Sequence, residues 1–458
     1  MKQQSSVLVL RSLAASGAIL LAAAAAHPAA AQSKTALEAE KFLVWNLLHE
    51  GDFAKARDML APLVATVHDS REAGLGPKST FYFECLSLLG AVELRTGRLA
   101  EAAAHLTEAK DGFSRKRKAF KEEYRQAVVR GQSAAFTAYA AHVLAYLCRS
   151  LDWLGEVKLE QQSFDEAHAL FEEALKIRES AVAEGILPDE PVASGLMMSK
   201  HLEGLYHLRK GEHTRAHHYL DQAVKEFEGF IAAKTRAAEA ARQAAEEGRP
   251  VEPPPEGEAA SPELVGKIAD LDQTLTHVAL LSHLGEVELA EGDQAGAIGF
   301  AGRAVEVARE RLGPKHGAGL EPLILIVQAR VAEADRLLAA NDPRGARAAI
   351  QAAAVAAAGA EQTVGRFWVA GCARRTEAER VLATLRGKAE AIDAAVAALD
   401  EAEKAADVAM TTAGADEGPK KTTTKRRVIR RVVPKKEDAA PAQDAPAKEP
   451  SAPPAAAG

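Results

Sequence analysis

A Leu-Gly pair followed by Ala twelve positions after the glycine recurs along most of this 458-residue chain. In its clearest copy the residues are Leu154, Gly155, Ala167, Phe171 and Ala174. The apolar positions have helical spacing, so each copy predicts two helices joined by a tight reversal. The first copy runs from Leu43, Leu47 and Leu48 through the turn Glu50-Gly51-Asp52 to Phe53, Ala56 and Leu60, with Val44 in the glycine's place. Leu89, Gly90, Gly97, Ala102, Leu106 and Ala109 form the second, and the Leu154 copy is third. Gly204, Gly211, Ala216, Leu220 and Ala223 make the fourth, and Leu284, Gly285, Gly292, Ala297 and Ala304 the fifth. A sixth lacks the glycine and uses Ala334, Ala346, Ile350 and Ala353, with its turn at Asn341-Asp342-Pro343.

Small residues at the Gly155 and Ala167 positions let the two helices of one hairpin touch. A glycine such as Gly97 or Gly211 relieves the reversal between them. Large residues at Leu154, Phe171 and their counterparts fill the layer between hairpins. A hairpin of this kind cannot bury its apolar side alone, so copies must stack. The first five copies resemble the tetratricopeptide repeat, whose pattern is Trp, Leu-Gly, Tyr, Ala, Phe, Ala. In the third copy Leu151 stands where that family has Trp, with Trp153 two positions on, and Lys158 stands where it has Tyr. The key position falls at 44, 90, 155, 204, 285 and 334, and each gap exceeds the roughly 34 residues of an ordinary unit. "RAVEVARERLGPKH", ending at His316, is similar to the long repeats of the kinesin-light-chain kind, and "AGLGPKST" at 73–80 echoes that closure. The resemblance covers roughly residues 37–356. It implies an all-α fold, a right-handed superhelical solenoid of antiparallel helix pairs. It says little about the ligand, because that fold binds many unrelated partners.

Two stretches interrupt the repeats. Residues 111–147 hold the charged run "KRKAFKEEYRQ" and then an apolar stretch, which predicts one or two extra helices wedged between the second and third units. Residues 232–262 begin as an Ala/Glu/Arg helix and end in "GRPVEPPPEGEAASP", where prolines forbid a helix interior. A hinge there would separate a lobe at 32–231 from a lobe at 263–409. Ser261 and Pro262 look like the cap and first turn of the restart. Residues 361–409 are helical in pattern and would cap the solenoid or fold back as a coil-like pair.

Both termini differ in composition from the repeats. Lys2 and Arg11 precede an apolar stretch from Ser12 to Ala26, and Ala29-Ala30-Ala31 supplies small residues before Gln32. Residues 1–31 therefore predict an export signal and a periplasmic protein, the alternative being an uncleaved anchor in the inner membrane. Residues 410–458 are rich in Thr, Lys, Pro and Ala and predict a disordered tail. Its stretch 420–436 carries nine Lys or Arg and no acid. Lys425, Arg426, Arg427, Arg430 and Arg431 there are a candidate electrostatic tether to anionic envelope lipid or polymer.

Chemistry is sparse. There is no HExxH, no Gly-rich phosphate loop with a following Lys, and no GxSxG elbow. Cys85, Cys148 and Cys372 lack CxxC spacing and read as buried thiols, one disulfide being open to an exported chain. His213 and His217 sit four apart and could share a helix face toward Zn or Ni, although polar residues near a turn need no ligand. The acid pairs Glu122-Glu123 and Glu172-Glu173 read as solvated helix faces. A net charge of -7 gives no reason to expect nucleic acid.

The reading is a non-enzymatic periplasmic scaffold that uses no cofactor and binds protein or peptide in envelope assembly or maintenance. Its alternatives are a metal-handling protein or enzyme on a repeat scaffold, and an envelope component tethered by its tail. The first helix of each hairpin should line the concave face, with Lys158, Tyr206, His207 and Glu288 as outward candidates for partner contact.

Overall fold

The computed structural model describes residues 34–415, apart from 73, 191–194, 247–261, 315 and 368–372. Among these there are thirteen α-helices, one 3-10 turn and no strand. Six hairpins follow one another. They are α1 (Lys34–Glu50) with α2 (Phe53–Asp69), α3 (Thr80–Arg95) with α4 (Leu99–Val129), and α5 (Ser133–Glu160) with α6 (Phe164–Ala183). Next come α7 (Leu196–Arg209) with α8 (His213–Glu246), α9 (Pro262–Glu291) with α10 (Gln294–Arg311), and α11 (Leu320–Ala339) with α12 (Pro343–Phe367). A 43-residue helix, α13 (Ala373–Ala415), ends the series. From α1 to α12 each helix packs mainly on its neighbours in sequence. The chain is an all-α solenoid of antiparallel helix pairs.

Turn chemistry explains the hairpins. Each reversal needs one residue in the left-handed region, supplied by Gly51, Gly97, Gly211 and Gly292. Gln162 (φ 59°) and Asn341 (φ 61°) take that place in the third and sixth hairpins. Asp52, Asp293 and Asp342 then accept a backbone N–H of the following first turn, from Lys55, Gly296 and Gly345.

The glycine of the Leu-Gly pair is a notch. A Cβ on Gly155 would stand 2.2 Å from the Phe171 ring. Gly90 and Gly204 are covered in the same way by Leu106 and Leu220, where a Cβ would stand 2.5 and 2.6 Å away. In all three copies the covering residue lies sixteen positions on, one helical turn past the conserved alanine spacing. The fifth copy has Ala301 there, and the notch at Gly285 is closed instead by Leu325 of the next hairpin.

The charged run at 111–147 does not make extra helices. It lengthens two helices of the repeat, giving α4 31 residues and α5 28, joined at Gly131 (φ 69°). The run keeps helical spacing and contains good helix formers, and the backbone reverses only at Gly131. Near the other interruption, α8 continues unbroken to Glu246, and the Pro-rich hinge lies outside the described residues. One apolar cluster joins Leu205, Phe227, Leu281 and Leu284, from helices on both sides of residues 247–261.

Beyond the repeats, α13 is one continuous helix, not a coil-like pair. It covers α11 and α12 with Ala378, Val381, Leu382, Leu385, Ile392 and Val396, as a terminal hairpin requires. It runs on to Ala415, past the expected start of the tail at 410. No described helix is long and apolar enough to cross a membrane. The leader at 1–31 and the basic cluster from Lys425 to Arg431 lie outside the described residues.

Candidate functional site

The first helices of the inner hairpins pack against their own partners and against the neighbouring hairpins. In α3 this buries every residue from Phe81 to Leu94, charged Glu84 and Glu93 included. The exposed edges of these first helices converge on a groove of about 610 Å3.

Aromatic and aliphatic groups make its wall: Trp45 and Leu48 from α1, Trp153 from α5, Met198 from α7 and Phe230 from α8. Arg149 sits among them, its guanidinium 5.3 Å from the Trp45 ring centroid, 5.6 Å from Trp153 and 5.8 Å from Tyr146. Such stacking keeps a cation in an apolar wall at low cost.

The floor is a row of charges from successive inner helices. Arg95 of α3 meets Glu156 of α5 at 3.4 Å. Arg209 of α7 donates to Glu286 of α9 at 2.7 Å. Arg374 of α13 bonds Glu321 of α11 and lies 3.9 Å from Glu160 of α5. Between them His201 of α7 and His283 of α9 share one hydrogen bond of 2.8 Å. The other ring nitrogen of His201, Nδ1, is buried and has no partner.

Burial and neighbouring charges decide the protonation states. Burial pushes His283 down to about 3, helped by Arg209. Burial, the His283 ring and Arg95 push His201 well below its ordinary value. Both imidazoles are neutral at neutral pH, as the single shared proton requires. Glu156 is shifted up by burial, which Arg95 only partly offsets. Glu321 is driven up by burial but further down by Arg374, Arg95, His283 and Arg209, so its net shift is downward. Glu321 and Arg374 keep 39% and 29% of their side-chain surface open, yet they line the groove with protein around them. That position keeps their coupling strong despite the exposure. A second ionic group holds the wall behind. Arg178 of α6 bonds Asp152 of α5 and donates to Ser199 of α7 at 2.7 Å, with both charged side chains under 9% exposed.

This arrangement offers an apolar wall and a charged floor to a ligand. Every charge on the floor is matched by another from the same chain. The Cys148 thiol, which also lines the groove, is pushed up to about 12 by burial and stays protonated. Cys85 is likewise buried, free and pushed up to about 12, also by burial. Cys372 lies outside the described residues.

The four candidates for partner contact, Lys158, Tyr206, His207 and Glu288, are not at this groove. Tyr206 and His207 do not face outward, since each is only 6% exposed. The Tyr206 ring stacks on His168 of the preceding hairpin at 4.8 Å, and His207 stacks on Tyr219 and bonds Glu212 at 2.8 Å. A helix packed on both faces has too narrow an open strip for both residues to reach solvent. Lys158 pairs with Glu166 at 2.6 Å, and Glu288 bonds His217 at 3.1 Å. That contact turns His217 to a single carboxylate. Among the described residues no group of three or more His, Cys, Asp or Glu side chains is placed to hold a metal ion. Glu122, Glu172 and Glu173 are exposed as expected, and Glu123 is half-buried.

The tetratricopeptide-repeat family model matches residues 147–184, from the second half of α5 to just past the end of α6. Residues 147–184 are thus similar to a tetratricopeptide repeat. The match falls on the copy with Gly155 under Phe171, where notch and ring fit most closely. Among solved structures, BtubC (BKLC) from P. vanneervenii shares 13% identity over 71% of this chain and 98% of that one, with a TM-score of 0.32. A tetratricopeptide repeat protein from Parabacteroides merdae shares 12% identity over 76% of this chain and 98% of that one, with a TM-score of 0.25. No curated protein matches the chain. Tetratricopeptide repeats serve in general as scaffolds for protein–protein contact.

Proposed function

We propose that this repeat protein is a periplasmic adaptor that holds a short segment of a partner protein in its inner groove, in envelope assembly or maintenance. The observation that carries the reading is the wall of Trp45 and Trp153 around Arg149, set above a floor of paired charges. Aromatic and Arg anchors are the groups that dominate binding between proteins. A groove of about 610 Å3 lies within the roughly 300–1,000 Å3 of ordinary ligand sites, so it suits a few residues of chain rather than a domain. The internally matched floor favours a segment with apolar side chains and an uncharged backbone over a strongly charged one. The leader at residues 1–31 supports export.

Titration of the full chain with a library of short peptides tests the groove. Trp153→Ala and Arg149→Ala should each weaken the selected peptides about tenfold while leaving the circular dichroism spectrum unchanged. Equal affinity in the variants and the parent would sink this use of the groove. Export is tested separately by fractionation. The full chain should follow periplasmic markers and a chain starting at Gln32 should not, and identical partitioning would remove the periplasmic part.

A further inference from the structure

The long α4–α5 hairpin carries a feature that the groove does not use. At 1.5 Å per residue α4 is roughly 46 Å long, against roughly 24 Å for its partner α3, so the α4–α5 end overhangs. Its packing is internal: Phe120 meets Phe136 at 5.6 Å and Tyr139 at 6.1 Å, and Tyr124 meets Phe136 at 5.5 Å. At the outer edge of that cluster and beyond it, the tip exposes apolar side chains. Val129 is 87% exposed, Val128 51% and Tyr124 47%. Sequence divides the two helices by charge. Residues 115–130 hold seven Lys or Arg against two acids, in a protein whose net charge is -7. Glu122 pairs with Arg125 at 3.5 Å and accepts from Gln126 at 3.3 Å, which leaves six basic residues against Glu123. From Gly131 to Cys148 there is no Asp, Glu, Lys or Arg at all.

We propose that this hairpin tip docks on an anionic lipid surface, inserting Tyr124, Val128 and Val129 at the headgroup boundary beneath a collar of Lys and Arg. The argument is one of area and charge, and it is independent of the groove. A two-helix end measures roughly 20 by 10 Å, far below the about 800 Å2 per partner that a stable protein interface needs. A bilayer demands no matching shape. It takes up each inserted apolar group, and its anionic headgroups attract the collar. Long basic side chains can reach the headgroups while their stems follow the apolar tip.

Co-sedimentation of the full chain with phosphatidylglycerol-containing vesicles, and with phosphatidylcholine alone, tests this. The expected result is retention on the anionic vesicles that falls with salt. Val128→Asp combined with Val129→Asp should reduce it by about tenfold or more. The basic tail is intact in that variant, so unchanged retention would assign binding to the tail and overturn the proposal. Val129→Trp gives a second reading that does not depend on the double variant folding. Its emission, taken as a difference from the parent, should shift blue and be quenched by brominated lipid. No shift would overturn the proposal, as would concentration-dependent self-association that the aspartates abolish, which would make a second copy the occupant.

Discussion

The two ends of the solenoid bury their helices in different ways. Around α3 the core is built of rings: Phe81, Tyr82, Phe83 and Phe113, with Tyr146 and Trp45 packed beside them. Phe83 and Phe113 meet edge to face at 5.8 Å, and Gly112 leaves the notch that Phe83 fills, a Cβ there standing 2.4 Å from the ring. Around α12 the core is mainly Ala346, Ala349, Ala353, Ala356, Ala357 and Ala360, with Ile350 and Val364 as the larger groups. Rings over glycine bury much area at a few points. Alanine faces bury little per residue and rely on many close backbone approaches. One repeat architecture is thus met by two packings, and they should fail differently when atoms are removed.

The largest expected effect is at the ring end. Phe113→Ala should destabilise the protein by about 3–5 kcal/mol, read as a lower urea midpoint. At the alanine end, Leu382→Ala should cost about 2 kcal/mol, the low end for such a truncation, because its neighbours are small. If the two variants shift the midpoint equally, the contrast between the packings is wrong.

Acid should strike between the two ends. His201 and His283 are held below their ordinary values. The unfolded chain therefore binds protons first, and stability falls as pH drops from about 6.5 toward the His283 value. His283 alone should lower stability by about 2 kcal/mol between pH 6.5 and pH 5, and His201 adds to the decline in the same direction. His283→Gln should flatten that decline in urea titrations at the two pH values, and an unchanged slope would show that the pair is not buried neutral. The smallest effect sharpens the contrast again. Ala353→Gly removes one methyl and adds backbone freedom, and should cost about 1 kcal/mol, measurable in a thermal scan against Phe113→Ala.

The hairpins were legible in the sequence because their signals are local. Turn residues such as Gly51 and Gly211, and the Gly155–Phe171 spacing, lie within a span of one hairpin. The lengths of α4 and α5 were not, because a charged run such as "KRKAFKEEYRQ" can be a separate exposed helix or the overhang of a buried one. The groove was legible only in outline, as the side lined by first helices. Its floor pairs Arg209 with Glu286 and Glu160 with Arg374, partners 77 and 214 positions apart. Nothing near either residue marks the other. Tyr206 and His207 misled for a related reason, since polar aromatic residues on a doubly packed helix look like surface groups until their partners His168 and Tyr219 are known.

Arg374 gives the last helix a standing that its place at the end of the series conceals. A chain cut before residue 373 would lose more than a lid over α12. Glu321 and Glu160 would lose their nearest cation and keep only the more distant Arg95 and Arg209, so the cavity would become more acidic and draw water or cations inward. Shortening this protein from its C-terminal side would therefore rewrite the character of its interior, whereas an ordinary repeat array only becomes shorter.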